Sequence, residues 1–217
     1  MTVKLDGPRR PALSGKARSL VVLLHGYGAS GDDLIDLAEM MGPMLPDVAF
    51  ASPDAVERMP IPGAAGYQWF PLSARDPEEY IDGTRSAAPE LEAFLDAELA
   101  RHGLAPDRLA LVGFSQGTMM ALHVGLRRQV APAAIVGLSG VIAGAQSLGA
   151  EIACRPPVML VHGADDEVIP VGAIHLTREV LAGAGVGVDW HVRPELGHGI
   201  DQEVVHMATG FLRAKLR

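Results

Sequence analysis

A serine lies between two glycines at the end of an apolar segment, in the stretch LALVGFSQGTMMALH at residues 109–123. Glycine and serine are common at any turn, so the G-x-S-x-G pattern is weak evidence when it stands alone. The same pattern occurs where a strand turns sharply into a helix, because small neighbours tolerate the strained backbone of the central residue. Such a turn holds a hydroxyl in the open, which makes Ser115 a candidate nucleophile.

A serine hydroxyl becomes a good nucleophile when a histidine accepts its proton and a carboxylate orients that histidine. Of the eight histidines, His198 has the expected setting, because it follows a predicted strand, lies between two glycines in ELGHGID and precedes the last predicted helix. The acid should follow the apolar run VMLVHG, where Asp165, Asp166 and Glu167 are consecutive. Acidic residues at this point also cap helices, and position alone does not choose between Asp165 and Asp166.

Acyl transfer also needs hydrogen-bond donors for the oxyanion of its tetrahedral intermediate. The backbone N–H of Gln116 follows the serine, and a second N–H is expected from the turn after an early strand. The stretch LLHGYGASGDDL places Tyr27 in a glycine-rich turn of this kind and matches neither common phosphate-loop pattern. Tyr27 and Gln116 are therefore the expected oxyanion-hole donors.

Short apolar runs and the helical segments between them must position these residues. Most of the runs are continuous rather than alternating, and they span residues 20–25, 48–52, 109–114, 133–139, 158–163 and 188–192. Continuous runs suit strands that are covered on both faces, as in a parallel sheet. Helices are expected at residues 84–102, 116–129, 172–184 and 202–216. This alternation predicts an α/β fold with a mostly parallel central sheet and helices on both faces.

Length and composition limit the possible classes of function. With 217 residues, the chain is predicted to form a single domain over 1–217. Its net charge is −8 and it has no cluster of Lys and Arg, so nucleic acid is not an expected partner. The single cysteine, Cys154, suits a reducing compartment. Because the N-terminus is polar and the uncharged stretch 130–150 is rich in Ala and Gly, we expect a cytoplasmic protein without stable membrane insertion.

Residues 53–83 differ from the rest of the chain, since they contain five prolines and show no sustained periodicity. They predict an irregular loop over the active site. Apolar residues in this loop and beside the acid could line an acyl groove; they are Ile61, Trp69, Phe70, Leu72, Val168 and Ile169. The alternative is that Trp69 only anchors the loop to the core, because large aromatic side chains are usually buried.

Together, the segments HGYGASGDDL, WF, GFSQG, HGADDEVIP and GHGI resemble the phospholipase/carboxylesterase group of α/β-hydrolases, which includes bacterial carboxylesterases and acyl-protein thioesterases. The resemblance covers residues 20–216 and implies the α/β-hydrolase fold. It also implies the nucleophile Ser115, the base His198 and, at the fifth residue of the HG segment, the acid Asp166.

Three residues depart from the commonest pattern of this family. Thr118 stands where a second glycine usually follows SQG, Tyr27 replaces a frequent leucine, and Pro71 follows WF where an acidic residue is common. None of them belongs to the implied triad. The last two affect the shape of the acyl pocket, so the family does not supply the identity of the substrate.

The expected activity is hydrolysis of carboxylic esters with short to medium acyl chains through an acyl-enzyme intermediate. A lysophospholipase or acyl-protein thioesterase that acts on long acyl chains is the alternative within the same chemistry. A binding module without turnover is an alternative of another class, because a fold does not fix a function. No metal or other cofactor is expected. The expected partners are a small-molecule ester or acyl substrate and a second copy of the chain in a homodimer.

Overall fold

The computed structural model describes residues 5–60, 63 and 65–216, and strands and helices alternate along most of this length. The strands are β1 (Arg9–Arg10), β2 (Ser19–Leu24), β3 (Val48–Ala51), β4 (Glu57–Arg58), β5 (Tyr67–Gln68), β6 (Leu109–Phe114), β7 (Ala134–Leu138), β8 (Val158–Gly163) and β9 (Val188–Arg193). The helices are α1 (Gly31–Ile35), α2 (Leu37–Met41), α3 (Pro77–His102), α4 (Gln116–Gly125), α5 (Leu148–Glu151), α6 (Gly172–Gly183) and α7 (Gln202–Lys215).

In the described part of the chain, seven strands form one sheet in the order β1-β3-β2-β6-β7-β8-β9. Strand β1 is antiparallel to β3, and every other neighbouring pair in this sheet is parallel. The predicted α/β fold with a mostly parallel central sheet is therefore confirmed. Because β2, β6, β8 and β9 run in the same direction, the loops that follow them meet at one edge of the sheet, where ligands bind in open α/β folds.

The strands inside the sheet, from β3 to β8 in its order, are buried on both faces, which explains why their apolar runs do not alternate. In β2, Leu20 and Val22 pack into the cluster that contains residues of α3, α4 and α6. The intervening Val21 and Leu23 pack into a second cluster with residues of α1 and α7. Each such buried side chain contributes about 2 kcal/mol to folding. Helices therefore cover both faces, as predicted.

The predicted irregular loop at 53–83 is shorter than expected. Helix α3 begins at Pro77 rather than at 84, because Asp76 caps it: the Asp76 carboxylate accepts a hydrogen bond of 2.8 Å from Glu79 N. A proline in the first helical turn after an aspartate is a helix-start signal that the apolar periodicity did not include. The antiparallel pair β4–β5 gives the remaining segment some regular structure.

None of the helices in the described residues combines the length and the apolar composition needed to cross a bilayer. The uncharged stretch at 130–150 contains strand β7, in agreement with the apolar run predicted there. The predicted helix at 116–129 is helix α4, which ends earlier, at Gly125.

Candidate active site

Ser115 lies at the turn between β6 and α4, where its backbone has φ 54° and ψ −115°. A non-glycine residue in such a conformation costs about 1–3 kcal/mol, which the surrounding structure must offset. The flanking glycines permit the turn: a Cβ at Gly113 would lie 2.2 Å from Gly117 O, and a Cβ at Gly117 would lie 1.9 Å from Leu24 O. The N–H of Ser115 donates to Leu138 O at 2.9 Å. This is the geometry of a nucleophile elbow.

Asp166 follows β8, and His198 lies in the loop between β9 and α7. The distance from His198 Nδ1 to Asp166 Oδ2 is 2.8 Å. The other carboxylate oxygen, Oδ1, accepts hydrogen bonds from the N–H groups of Val168 and Ile169 at 2.9 and 2.8 Å. Burial works to raise the pKa of Asp166, but the hydrogen bonds from His198, Ile169 and Val168 outweigh it and lower the pKa. An ionised Asp166 fixes the proton of His198 on Nδ1 and leaves Nε2 as an acceptor.

The structure brings Asp166 to His198 and leaves Asp165 exposed to solvent. The backbone of Asp165 has a different role, because its N–H donates to Leu196 O at 2.9 Å and so joins the loop of the acid to the loop of the histidine. Gly163 permits this approach, since a Cβ there would lie 2.2 Å from Leu196 O. Sequence position alone did not decide which of the two aspartates contacts His198. The way these two loops meet decides it.

His198 also lies beside the elbow, because its ring centroid is 4.9 Å from that of Phe114, the residue before the candidate nucleophile. Among the described residues, no hydrogen bond joins Ser115 Oγ to His198. Hydrogen bonds of catalytic pairs are often long until a substrate binds. The side chain of His198 is 18% exposed, so a substrate can reach it from solvent.

The turn at residues 26–29 packs against the elbow, since a Cβ on Gly26 would lie only 3.3 Å from Ser115 Cβ. Tyr27 belongs to this turn. Within the part of the chain that the structure describes, neither the N–H of Tyr27 nor that of Gln116 has a hydrogen-bond acceptor. Two unpaired N–H groups on either side of a serine can stabilise the oxyanion of an acyl-transfer intermediate.

The side chain of Gln116 is buried and forms two hydrogen bonds to the segment that follows β5. Its Oε1 accepts from Trp69 N at 2.9 Å, and its Nε2 donates to Phe70 O at 2.8 Å. The indole N–H of Trp69 in turn donates to His25 O at 2.9 Å. The sequence predicted that the backbone N–H of Gln116 is an oxyanion donor and that the ring of Trp69 lines the groove or anchors the loop. It did not predict these polar contacts.

His25 is buried directly after β2 and has a defined tautomer. Its Nε2 accepts a hydrogen bond of 2.9 Å from Ala55 N, so the proton lies on Nδ1, which donates to Gly26 O at 2.7 Å. Burial lowers the pKa of His25, which keeps the ring neutral. The His-Gly pair at the end of an apolar run was visible in the sequence, but its bonds depend on Ala55, which is distant along the chain.

A second His-Gly pair ends β8. His162 Nε2 lies 2.8 Å from Ile169 O and 3.3 Å from Asp166 Oδ2. His162 is buried, and its ring packs against the loop that contains Asp166 and Ile169. The sequence pattern around His162 did not predict these contacts.

Trp69 and Phe70, two of the predicted substrate contacts, are each 2% exposed and belong to the apolar core. The ring of Phe70 fills the space above Gly83 of α3, where a Cβ would lie 2.3 Å from the ring. Both residues also line a cavity of about 330 Å³ beside α3. Burial in the core is what the alternative prediction for Trp69 expects, and contact of either ring with a substrate stays a prediction.

The other predicted substrate contacts differ in exposure. Leu72 and Ile169 are partly buried against the core, whereas Val168 is 57% exposed beside the acid. Ile61 lies outside the described residues.

Among the described residues, no group of three or more His, Cys, Asp or Glu side chains could hold a metal ion. Cys154 is buried, and burial raises the pKa of its thiol, which makes it a poor nucleophile.

Known proteins of one family match this chain over almost its whole length. The model of the Phospholipase/Carboxylesterase family matches residues 12–216. Esterase YpfH of Escherichia coli (strain K12) is 26% identical over 209 residues, which cover 96% of this chain and 86% of that protein. Acyl-protein thioesterase 1 of Gibberella zeae is 27% identical, with 90% of each chain covered. The crystal structure of esterase PE8 superimposes with a TM-score of 0.94 at 44% identity and covers 99% of this chain and 100% of that one.

Proposed function

The chain belongs to the phospholipase/carboxylesterase family, and from this membership we propose that it is a serine hydrolase that cleaves carboxylic esters of small molecules through an acyl-enzyme intermediate. Ser115 is the nucleophile, His198 the general base and acid, and Asp166 the residue that orients the imidazole. The N–H groups of Tyr27 and Gln116 form the oxyanion hole. Family membership supports the reaction class, and the geometry around Ser115 supports these roles.

In the first half of the reaction, Ser115 Oγ attacks the ester carbonyl while His198 Nε2 accepts the hydroxyl proton. The negative charge that develops on the carbonyl oxygen is stabilised by the two N–H groups of Tyr27 and Gln116. His198 then gives its proton to the leaving alcohol as the C–O bond breaks. Water attacks the acyl-enzyme in the same way, and the proton returns to Ser115.

One observation carries this proposal: the 2.8 Å hydrogen bond between Asp166 Oδ2 and His198 Nδ1, on a histidine that packs beside the elbow. The bond selects the tautomer whose Nε2 can accept a proton, and the elbow holds Ser115 in the strained backbone that presents its hydroxyl. A binding module without turnover would not require this tautomer. The non-catalytic alternative is therefore disfavoured.

The length of the acyl chain is a separate part of the proposal. We infer short to medium acyl chains, because Trp69 and Phe70 are buried in the core. Of the predicted substrate contacts that the structure describes, only Leu72, Val168 and Ile169 then keep exposed surface for an acyl chain. Hydrolysis of long-chain thioesters is the second candidate, supported by the similarity to acyl-protein thioesterase 1.

Substitution of the nucleophile tests the reaction class. Ser115→Ala should reduce turnover of p-nitrophenyl acetate by about 10⁴-fold or more, because a triad without its nucleophile retains only a small residual rate. Ser147→Ala is the matched control, since its hydroxyl donates to the nearby Gly144 O and, among the described residues, to no other group. Retention of a tenth of the parent activity in purified Ser115→Ala protein would show that another residue is the nucleophile.

A series of p-nitrophenyl esters from acetyl to palmitoyl tests the acyl preference. In a groove formed by the predicted contacts, Phe70→Ala, Leu72→Ala and Val168→Ala should lower kcat/KM more for the octanoyl than for the acetyl ester, by the roughly 1–3 kcal/mol of one lost apolar contact. Val168 is the most informative position, because its exposure makes an effect on folding small. Equal losses on both esters, with a lower melting temperature, would leave the loop residues as anchors only.

The finer expectations about partners and location are proposals as well. We infer a single domain, a cytoplasmic location, which the single buried cysteine favours, and a homodimer. Sedimentation velocity of the purified chain tests the homodimer, and fractionation of the source cells tests the location.

A further inference from the structure

The oxyanion hole consists of two backbone segments that follow different strands. Tyr27 lies in the turn after β2, and Gln116 lies at the start of α4 after β6. The pairing between β2 and β6 ends at Leu24 and Gly113, before either segment. The ladder of the sheet therefore does not hold the turn against the elbow, although both N–H groups must point at the same oxygen.

The segment at residues 67–70 is bonded to the turn on one side. The N–H of Gly28 donates to Tyr67 O at 2.8 Å, and the N–H of Tyr67 donates to Ala29 O at 2.8 Å. Gly66 permits this close approach, because a Cβ there would lie 1.8 Å from Gly28 O. Backbone hydrogen bonds thus fix this side of the segment.

The other side of the segment is bonded to the elbow by a side chain. The amide of Gln116 accepts from Trp69 N and donates to Phe70 O, at 2.9 and 2.8 Å. All of these atoms are buried, so a lost partner would leave an unsatisfied polar group. One residue therefore supplies an oxyanion donor from its backbone and a link to the turn from its side chain.

Trp69 and His25 add a second connection to the turn. The indole N–H of Trp69 donates to His25 O, and the ring of His25 donates from Nδ1 to Gly26 O, at 2.9 and 2.7 Å. The two rings also pack together, with centroids 5.5 Å apart. The segment at residues 67–70 is therefore bonded both to the elbow and to the turn.

We propose that the side chains of Gln116, Trp69 and His25 are positioning residues that set the distance between the Tyr27 and Gln116 N–H groups, so that residues 67–70 control how well the oxyanion hole is preorganised. This inference rests on the proposed function. It predicts that loss of one of these bonds affects the transition state and not the binding of substrate, because the ground-state carbonyl needs the hole less than the oxyanion does.

A purely structural role is the competing explanation, since buried polar side chains normally form hydrogen bonds for stability alone. The two explanations differ in kinetics. A structural role lowers the melting temperature without a selective effect on the active protein that remains folded. A positioning role lowers kcat in the folded protein and weakens the binding of transition-state analogues.

Two variants separate these explanations. Trp69→Phe removes the indole N–H and keeps an aromatic ring, and Gln116→Met removes both side-chain bonds and keeps the backbone N–H and the approximate volume. Trp190→Phe and Gln129→Met are the controls: the indole of Trp190 contacts His175 and Arg178, and Gln129 is exposed after the end of α4 that is remote from the elbow. If Gln116→Met does not fold, Trp69→Phe alone carries the test.

Kinetics and inhibitor binding should change together in these variants. Removal of a direct oxyanion donor costs about 10²–10³-fold in kcat, so indirect displacement should cost about 10- to 100-fold in kcat with KM within about twofold of the parent. The inhibition constant for butylboronic acid, which forms a tetrahedral adduct with the serine, should rise by the same factor. Both control variants should stay within about twofold of the parent.

Amide hydrogen exchange of Gly28 and Tyr67 gives a readout that does not depend on turnover. Both amides should exchange faster in Trp69→Phe and Gln116→Met than in the controls, because the segment that pairs with the turn is released. Unchanged kcat in the folded variants, or a rise in KM alone, would overturn the inference. A parent protein without esterase activity would instead contradict the proposed function, and the exchange rates would still decide whether these side chains position the turn.

Discussion

The carboxylate of Asp166 has two sets of partners, and an amide at this position cannot satisfy both. In Asp166→Asn, one carboxylate oxygen becomes an NH₂ group. If that group took the place of Oδ1, it would face the N–H groups of Val168 and Ile169, which now donate at 2.9 and 2.8 Å. Two donor-to-donor contacts in a buried site would cost several kcal/mol, at about 1–3 kcal/mol for each unsatisfied group.

The amide of the variant should therefore turn its oxygen toward Val168 and Ile169 and its NH₂ group toward His198. His198 can then keep that contact only as an acceptor at Nδ1, which moves its own proton to Nε2. An imidazole with a proton on Nε2 cannot accept one from Ser115. The wrong tautomer in a Ser-His-acid triad lowers kcat by about 10⁴-fold, which corresponds to about 5.5 kcal/mol of transition-state stabilisation.

Steady-state hydrolysis of p-nitrophenyl acetate by Asp166→Asn and Asp165→Asn measures this effect on two adjacent residues. Asp165→Asn should stay within about threefold of the parent, because its exposed carboxylate has no contact with His198 and its backbone N–H is retained. Both variants should keep the parent melting temperature within a few degrees. A loss below tenfold in Asp166→Asn, or an equal loss in both variants, would refute the assignment of Asp166.

Two further predictions concern stability. Burial and the positive charge of Arg127 lower the pKa of His123 from 6.5 to about 4, so the stability present above pH 6.5 is progressively lost as the pH falls toward 4. By pH 5 the loss in the free energy of unfolding is about 2 kcal/mol. Urea unfolding at pH 7.5 and pH 5 should show that His123→Leu no longer has this loss, and a variant as acid-sensitive as the parent would contradict the prediction. Gly117→Ala should destabilise the fold by more than about 3 kcal/mol, since its Cβ would lie 1.9 Å from Leu24 O. Gly210→Ala in α7 has open space for its Cβ and should stabilise the fold by about 1 kcal/mol. Thermal unfolding of the two variants measures both changes.

Features that depend on neighbours along the chain were predictable from the sequence. The apolar runs at 109–114 and 158–163 coincide with β6 and β8, because a strand covered on both faces needs a continuous apolar run. The G-x-S-x-G turn was predictable for a similar reason: its strain and its small neighbours lie within five residues. Errors arose at element ends, such as the start of α3, where a cap decides the boundary and periodicity does not.

Contacts across the sheet edge were not predictable in this way. Position alone left Asp165 and Asp166 open, because which of them faces His198 depends on how the loop after β8 meets the loop after β9. The side chain of Gln116 meets Trp69 across a sequence separation of 47 residues, and the indole of Trp69 meets His25 across 44. Local patterns contain no information about such separations.

The sequence by itself determined the alternation of strands and helices and the elbow at Ser115, since each follows from local backbone preference or from the apolar pattern of consecutive residues. The tertiary structure decided which carboxylate contacts His198 and which polar groups link the turn at Tyr27 to the elbow. These contacts exist only once parallel strands have aligned their carboxyl ends, because that alignment brings loops from distant parts of the chain within hydrogen-bond distance.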